Sequence, residues 1–159
     1  MEYRFGNGYD VHALKDGLRM VLCGIEVDSA CGFVAHSDGD VAIHALCDAL
    51  LGAAALGDIG KHFPDNDAAY SGIDSTILLG KVAEMLRSEG WKIGNADITI
   101  ALQAPKIGRL VPQMRSRLAE VLDISPDRIS VKATTTEHLG FVGRGEGCEV
   151  WATASIFKD

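Results

Sequence analysis

The chain has 159 residues, of which 47% are hydrophobic and 23% charged, and its formal net charge is −7. This length allows one domain with a substantial core, and the acidic balance excludes a broad electrostatic surface for nucleic acid. No run of about eighteen apolar residues is present, which excludes a membrane-spanning helix. The first residues have neither an apolar signal core nor a transit-peptide composition, so we expect a cytoplasmic protein, or a plastid protein only if a transit peptide has been removed.

The first predicted element is a strand from Tyr3 to His12 that ends in Asp-Val-His. Gly6 and Gly8 interrupt it, which indicates that another part of the backbone approaches closely. Asp10 and His12 are two residues apart, and alternate residues of a strand point to the same side. The carboxylate and the imidazole therefore share a face, although Asp10 could equally serve only to orient a structural histidine.

A second strand is predicted from Arg19 to Val27, paired with the first strand through a turn at residues 15–17. Residues 28–39 are predicted to be a loop that leads into the first helix. The chain has four cysteines, which form neither a CxxC pair nor a zinc-finger pattern. We therefore expect buried or neutral thiols.

The first predicted helix begins at the capping-box pattern of Ser37 and Asp40 and runs to about residue 56. Asp40, His44 and Asp48 follow each other at intervals of four and stack on one face. This spacing suits a metal-binding imidazole whose second nitrogen is held by a neighbouring carboxylate. His36 and Ser37 precede the helix, where outward backbone N–H groups suit a phosphate. A polar helix face turned to water would explain the same pattern, and this segment alone does not decide between the two.

Residues 57–67 contain two glycines, a proline and three aspartates. They are predicted to form a loop, either a binding loop or a solvated linker, and His62 within it is interpreted as a loop residue rather than a metal ligand. A second helix is predicted from Asp74 to Glu89, and its apolar stripe indicates a structural role without chemistry. The stripe consists of Ile77, Leu78, Val82, Met85 and Leu86.

The second half of the chain is predicted to contain a strand at residues 96–103, a helix at 111–122, and strands at 129–135 and 150–157. The third of these elements ends in a run of threonines followed by Glu137. Hydroxyls and a carboxylate at a strand end suit phosphate oxygens and a hard divalent cation. An exposed, threonine-rich strand end would look the same.

The element order β-β-α-α-β-α-β-β predicts one α/β domain of the α+β type over residues 1–159, with a mixed sheet and helices on one of its faces. The other face of the sheet then needs cover. We expect this face to pack into an oligomer through apolar side chains, namely those of Ile98, Ile100, Trp151 and Ile156.

Short motifs rich in glycine, acids and histidine are spread over nearly the whole chain. They are GYDVH at 8–12, HSDGDV at 36–41, HA at 44–45, DIG at 58–60, FPD at 63–65, QAPK at 103–106, ATTTE at 133–137, GF at 140–141 and GRGEG at 143–147. Each motif is weak alone. Together and in this order they resemble the 2-C-methyl-D-erythritol 2,4-cyclodiphosphate synthase family of the non-mevalonate isoprenoid pathway.

The resemblance implies an enzyme, a phosphorus–oxygen lyase. In the family's reaction the 2-phosphate of 4-diphosphocytidyl-2-C-methyl-D-erythritol 2-phosphate attacks the β-phosphorus of its own diphosphate. CMP leaves and a cyclic diphosphate forms. Since a phosphate is already a nucleophile, catalysis reduces to positioning the groups and neutralising their charge.

The resemblance also implies roles for individual residues. Asp10, His12 and His44 would bind one zinc ion and leave its fourth position for substrate, and Glu137 would bind Mg²⁺ or Mn²⁺. Residues that resemble the family's substrate-binding set are His36, Ser37, Asp58, Gly60, Asp65, Ala104, Pro105, Lys106, Ala133, Thr134 and Thr135. The last six would hold the cytidine diphosphate part of a substrate bound at a neighbouring subunit.

The family is a homotrimer with active sites between subunits. Phe141 and Arg144 resemble residues that line a cavity on the threefold axis, where an isoprenoid diphosphate could bind. Two alternatives use the same residues: a metal-dependent phosphohydrolase, which would release linear phosphates, and a non-catalytic trimer that binds isoprenoid diphosphates. The full set of metal-ligand candidates argues against the non-catalytic trimer. Neither nucleic acid nor a membrane is expected as a partner.

Overall fold

Seven strands and five helices build the fold in the computed structural model, which describes residues 1–159. The strands are β1 (Glu2–Asp16), β2 (Met20–Leu22), β3 (Ile25–Val27), β4 (Cys31–Phe33), β5 (Lys92–Ala101), β6 (Ile129–Thr134) and β7 (Gly147–Lys158). The helices are α1 (Val41–Ala53), α2 (Ile59–His62), α3 (Ser75–Ser88), α4 (Val111–Leu122) and α5 (Gly140–Gly143). Single 3₁₀ turns lie at Ala68–Tyr70, Gly108–Leu110 and Pro126–Arg128.

Five of the strands form one sheet in the order β4-β1-β7-β5-β6. β5 and β6 are parallel, because the chain returns through α4 between them, and the other neighbours are antiparallel. α1 packs on β1 and β7, α4 packs on β6, and α3 packs against α1 and α4. The mixed sheet that the element order predicts is confirmed.

Two glycines let α1 lie directly on β1. A Cβ atom at Gly6 would be 2.1 Å from the carbonyl oxygen of Ala49, and a Cβ atom at Gly8 would be 1.9 Å from that of Ala45. No side chain fits at either position without moving backbone. The close approach predicted from the glycines is therefore confirmed, and it brings His44 of α1 next to β1.

The second predicted strand is wrong in its pairing. Residues 19–27 fold back on themselves as the β2–β3 hairpin, which pairs Leu22 with Ile25. The turn residues Cys23 and Gly24 have φ values of 53° and 72°, as two-residue hairpin turns require. Only one of them is glycine, so the turn signal in the sequence is weak. β4, within the loop predicted for residues 28–39, pairs with β1 instead.

The first helix begins later and ends earlier than predicted. Its N-cap is Asp40, whose carboxylate accepts a hydrogen bond from the backbone N–H three residues ahead at 3.0 Å. Ser37 therefore lies outside the helix. The helix ends at Ala53, because Ala55 adopts a φ of 60°, which no α-helix continues. Residues 57–67, predicted to be a loop, contain the one-turn helix α2.

The other two long helices agree with prediction. α3 lacks one residue at either end of its predicted span, and α4 matches its predicted span. Within the predicted stripe of α3, Ile77 is 50% exposed, whereas the other members are buried or partly buried. None of the helices is long and apolar enough to cross a membrane.

The two faces of the sheet are not divided as predicted. Ile98, Ile100 and Ile156 are fully buried on the face that the helices cover, so the prediction that they form an exposed apolar face is wrong. Trp151 is 45% exposed, and the alternation of strand residues puts it on the opposite face, which we call the outer face. The exposed aromatic residues of the outer face are Tyr3, Phe5, Tyr9 and Trp151.

Candidate functional site

Three side chains with metal-ligand chemistry meet where α1 lies on β1. Nε2 of His12 and Nδ1 of His44 lie 2.9 Å and 3.1 Å from Oδ2 of Asp10, and 3.2 Å from each other. Their ligand atoms all lie within 4.8 Å of one another, so the group could hold a metal ion. Asp10 and His12 share a face of β1, as their spacing predicts. The fold adds His44 from a segment that is thirty-two residues away from His12.

Charge and burial oppose each other in this cluster. Burial acts to raise the pKa of Asp10, but hydrogen bonds and charge from His12 and His44 outweigh it and hold the pKa below its ordinary value. Burial acts to lower the pKa of His12, and Asp10 reverses that effect, so the pKa of His12 is raised. One ionised carboxylate with two imidazoles is a donor set that suits a divalent transition metal such as zinc.

The second ring nitrogen of His44 points away from the cluster, towards two hydroxyls. Nε2 of His44 lies 3.2 Å from Oγ of Ser37 and 3.1 Å from Oγ of Ser75. Ser75 is the first residue of α3 and is fully buried. The sequence signal for Ser75 was weak, because a serine after Asp74 looks like an ordinary helix start.

The predicted contact of Asp40 or Asp48 with the second ring nitrogen of His44 is not formed. Asp40 accepts hydrogen bonds from the backbone N–H groups of Cys23 at 3.0 Å and Gly24 at 2.7 Å, which fastens the β2–β3 hairpin to the start of α1. Burial raises the pKa of Asp40 to about 6, although its backbone hydrogen bonds act to lower it. Asp48 accepts a hydrogen bond from the N–H of Ile59 at 2.7 Å and fastens α2 to α1. Burial is also the main cause that raises the pKa of Asp48. Both residues position backbone around the site.

A cleft of about 200 Å³ opens beside the cluster. It brings together four of the predicted substrate-binding residues, namely His36, Ser37, Gly60 and Asp65. Asp58 is not part of the lining, because its carboxylate caps α2 by accepting a backbone N–H at 3.0 Å. Sequence reasoning missed most of the apolar lining, which consists of Ala35, Ile59, Phe63, Tyr70, Ile73 and Leu78.

The remaining histidine and cysteine predictions concern residues outside the cluster. His62 lies in α2, and its Nε2 donates a hydrogen bond to the carbonyl oxygen of Leu56 at 2.9 Å. Burial raises the pKa of the thiols of Cys23, Cys47 and Cys148, which agrees with the predicted neutral thiols.

A second cavity, of about 600 Å³, lies where the parallel strands β5 and β6 end. Pro105 and Lys106 line it after β5, and residues 133–135 line it at the end of β6. The two segments meet because β5 and β6 are in register up to their last residues. Ala104 precedes Pro105 through a cis peptide bond. Arg109 also lines the cavity and was not predicted, since a single arginine in a loop gives no distinctive pattern.

Glu137 lies on an exposed turn just beyond the end of β6. Glu137 and His138 have φ values of 53° and 62°, a region that residues other than glycine seldom adopt. Oγ1 of Thr135 donates a hydrogen bond to the Glu137 carboxylate at 3.3 Å, and the N–H of His138 donates one to the side-chain oxygen of Gln103 at 3.2 Å. Backbone outliers of this kind cluster at functional sites.

The residues predicted to line an axial cavity lie apart from both cavities. Phe141 belongs to α5, and Arg144 follows it, exposed and paired with Glu146 at 2.8 Å. Their place on a threefold axis stays a prediction.

The chain is similar to known proteins over the region that forms this site. The sequence model of the YgbB family matches residues 3–157, which include the metal-ligand cluster and both cavities. A relative in Methylococcus capsulatus, 2-C-methyl-D-erythritol 2,4-cyclodiphosphate synthase, is 57% identical over 98% of this chain and 99% of its own length. The bifunctional IspDF structure from Campylobacter jejuni matches 98% of this chain with a TM-score of 0.94 and 42% identity, and this chain spans 42% of it. The CDP complex of IspF from Plasmodium falciparum has a TM-score of 0.87 and 32% identity over 99% of this chain and 97% of that one.

Proposed function

The chain belongs to the YgbB family, and we infer that it forms 2-C-methyl-D-erythritol 2,4-cyclodiphosphate in the non-mevalonate isoprenoid pathway. Its substrate is 4-diphosphocytidyl-2-C-methyl-D-erythritol 2-phosphate. The 2-phosphate attacks the β-phosphorus, the bond from the β-phosphorus to the bridging oxygen breaks, and CMP leaves with that oxygen. The observation that carries this function is the convergence of Asp10, His12 and His44 beside a cleft in a chain so similar to known synthases.

We propose that the cluster of Asp10, His12 and His44 holds one zinc ion. Two imidazole nitrogens and one carboxylate oxygen face a common point, and the lowered pKa of Asp10 keeps its carboxylate available as a ligand. Three protein ligands are typical of a catalytic zinc site, which keeps one position open. When bound, zinc supplies a positive charge that stabilises negative phosphoryl oxygens.

The residues that line the cleft bind and orient the methylerythritol phosphate part of the substrate in this proposal. His36, Ser37, Gly60 and Asp65 supply polar groups, and Asp58 holds the backbone of α2 that carries Gly60. The chain needs no nucleophilic side chain, because the substrate's own phosphate attacks. Holding two phosphate groups in line can supply up to about 7–11 kcal/mol of the barrier reduction.

The second cavity is proposed to hold the cytidine diphosphate part. Lys106 brings a positive charge and Thr135 a hydroxyl to its wall, which Pro105, Ala133 and Thr134 also line. Ala104, next to Pro105, is proposed to contribute its backbone. The complex of the Plasmodium falciparum relative with CDP supports a ligand of this class. Glu137, at the edge of this cavity, is proposed to bind Mg²⁺ or Mn²⁺, since a lone carboxylate with phosphate oxygens and water suits either ion.

We propose that a homotrimer completes the site. The lining residues of the metal cleft and of the second cavity do not overlap within one chain, and the outer face of the sheet exposes four aromatic side chains. Association through the outer face would cover these side chains and could place the second cavity of one chain beside the metal cleft of the next. The axial cavity at Phe141 and Arg144, its isoprenoid diphosphate ligand and a cytoplasmic location stay predictions.

Phosphorus NMR of the purified protein with substrate, zinc and magnesium tests the function. We expect CMP and two coupled resonances of a cyclic diphosphate, and we expect Asp10→Asn to abolish both. Linear phosphates would instead identify a hydrolase. Absence of turnover by zinc-loaded protein would favour the non-catalytic trimer, which predicts that isoprenoid diphosphates bind regardless of Asp10.

A further inference from the structure

The hydroxyl of Ser75 lies on the ring nitrogen of His44 that faces away from the metal-ligand cluster. Oγ of Ser75 is 3.1 Å from Nε2 of His44 and 2.5 Å from Oδ1 of Asp38. The backbone N–H of Ser75 donates to the other oxygen of Asp38 at 2.9 Å. Ser75 is fully buried, so no water competes for these contacts. The three residues form a continuous chain of hydrogen bonds behind the cluster.

A count of protons decides which way these bonds run. Serine has one hydroxyl proton, and an ionised carboxylate only accepts. The short contact to Asp38 therefore takes the Ser75 proton, and Oγ of Ser75 can offer only a lone pair to His44. Nε2 of His44 then carries a proton. In the neutral imidazole that a metal requires, the lone pair is therefore on Nδ1, on the side of Asp10 and His12, which lie 3.1 Å and 3.2 Å away.

Ser37 does not decide the matter, although its hydroxyl is also close to Nε2 of His44. Its Oγ accepts a hydrogen bond from the N–H of Gly39 at 3.2 Å, and its own proton is free to point in more than one direction. Ser37 can therefore donate to Nε2 or accept from it. Only Ser75 has its proton committed elsewhere.

The backbone holds Ser75 and Asp38 in register. The N–H of Asp38 donates to the carbonyl oxygen of Ile73 at 3.1 Å, and the N–H of Gly72 donates to the carbonyl oxygen of His36 at 2.8 Å. The segment before α1 is thus fastened to the segment before α3. These bonds hold the backbone of Ser75 beside that of Asp38, within reach of His44.

We propose that Asp38 and Ser75 are positioning residues for the metal site: they hold His44 in the tautomer and ring orientation that present Nδ1 to the metal. The proposal rests on the zinc site of the proposed function. The start of α3 then contributes to the metal site. The residues immediately before Ser75, at the end of the loop that lines the cleft, then help to set the metal affinity.

The competing explanation is that Asp38 and Ser75 only stabilise the start of α3. Thr76 provides a matched control, because it is also nearly buried at the start of α3 and its hydroxyl donates to the Asp74 carboxylate at 2.7 Å. Thr76→Val removes that hydroxyl and keeps the shape of the side chain. Ser75→Ala likewise removes a hydroxyl with little other change in shape. Thr76 makes no hydrogen bond to His44. A role restricted to the helix would make the two variants alike in metal binding.

The test measures zinc affinity by competition with a chromophoric chelator, without substrate, for the full chain and both variants. Ser75→Ala should weaken zinc binding by roughly 10–100-fold, the usual effect of removing a group that orients a metal ligand. Thr76→Val should stay within about twofold of the unchanged chain. An affinity of Ser75→Ala within about twofold of the unchanged chain would overturn the proposal.

Histidine-selective proton–nitrogen correlation spectra of the zinc-loaded chain test the tautomer directly, and His44→Ala assigns the signals. We expect a protonated Nε2 and a metal-bound Nδ1 for His44, and zinc bound through Nε2 would overturn the proposal even if no variant folds. Product formation is measured separately by phosphorus NMR. If the unchanged chain makes cyclic diphosphate but Ser75→Ala keeps its zinc affinity, only the positioning role is refuted. If the unchanged chain makes no product but both zinc measurements give the expected results, only the proposed function is refuted.

Discussion

At the scale of the residue, the site depends on one carboxylate that serves two imidazoles. Asp10 contacts both His12 and His44 through the same oxygen. Its carboxylate keeps the pKa of His12 raised in spite of burial. Protons and a divalent cation therefore compete for the same nitrogens, and the pH dependence of stability should differ with and without metal.

We expect pH to affect the stability of the metal-free and zinc-bound forms differently. Without metal, the free energy of unfolding should fall as the pH rises from about 6.5 through the raised pKa of His12, because deprotonation removes the pairing with Asp10. With zinc, the added stability should grow over that range, because zinc binds neutral imidazoles. Urea unfolding with zinc or a chelator measures both trends. Asp10→Asn should flatten the metal-free trend, and parallel trends in both forms would contradict the assignment.

Glu137 provides the second residue-scale prediction. Glu137→Gln should lower turnover by about 100-fold or more, the scale expected when one group that stabilises developing charge is lost. The zinc content of this variant should stay unchanged, because Glu137 is not one of the candidate zinc ligands Asp10, His12 and His44. Turnover assays and elemental analysis measure the two quantities. Glu120→Gln, at an exposed carboxylate on α4, serves as the control, and loss of zinc in Glu137→Gln would show that the division into two metal sites is wrong.

At the scale of the element, the contact of α1 with β1 sets the metal site. Helix backbone lies where the side chains of Gly6 and Gly8 would be, so His44 reaches the side chains of β1. Asp40 and Asp48 act at the same scale, since they fasten the β2–β3 hairpin and α2 to α1. The stacking of three polar residues on α1 was visible in the sequence, but their partners were not.

We expect Gly8→Ala to destabilise the fold by about 3 kcal/mol, because the new Cβ would meet the carbonyl oxygen of Ala45 at 1.9 Å and force α1 away. Zinc affinity should fall as well, since His44 moves with α1. Gly80→Ala is the control: it lies inside α3 with no atom within 4 Å of its added Cβ, and should stabilise by up to about 1 kcal/mol. Urea midpoints measure both changes, and equal midpoints would contradict the packing argument.

At the scale of the whole molecule, the sheet has one face under helices and one aromatic face that no element of the chain covers. Tyr9 and Trp151 lie side by side on the outer face, with ring centroids 5.6 Å apart, and Tyr9 donates a hydrogen bond to Glu149 at 2.8 Å. Tyr3 and Phe157 form a second pair at 5.9 Å. Ordered aromatic surface of this kind is typical of an interface between protein chains.

We expect Trp151→Asp to dissociate the proposed trimer, because burying an unpaired carboxylate at an interface is costly. Turnover should be lost with the trimer, but zinc binding should persist, since all three candidate ligands belong to one chain. Sedimentation and metal analysis measure these outcomes. Ile77→Asp is the control, because Ile77 is similarly exposed on α3, away from the outer face. A trimeric Trp151→Asp variant, or a chain that is monomeric without substitution, would contradict the proposed interface.

The sequence by itself determined the features that depend on near neighbours. The spans of α3 and α4, the shared face of Asp10 and His12, and the need for close packing at Gly6 and Gly8 follow from local spacing and residue size. The order of the short motifs also identified the family, although each motif alone was weak.

Only the tertiary structure decided which face of the sheet is buried and which groups surround His44. A period of two separates the faces of a strand, but both faces of β7 carry apolar residues, with Trp151 on one and Val150 on the other, and the position of α1 selects the one that is covered. Ser75 lies thirty-one residues from His44 in the chain. Its contact with His44 arises from the packing of α3 on α1, and no local pattern encodes contacts between such distant segments.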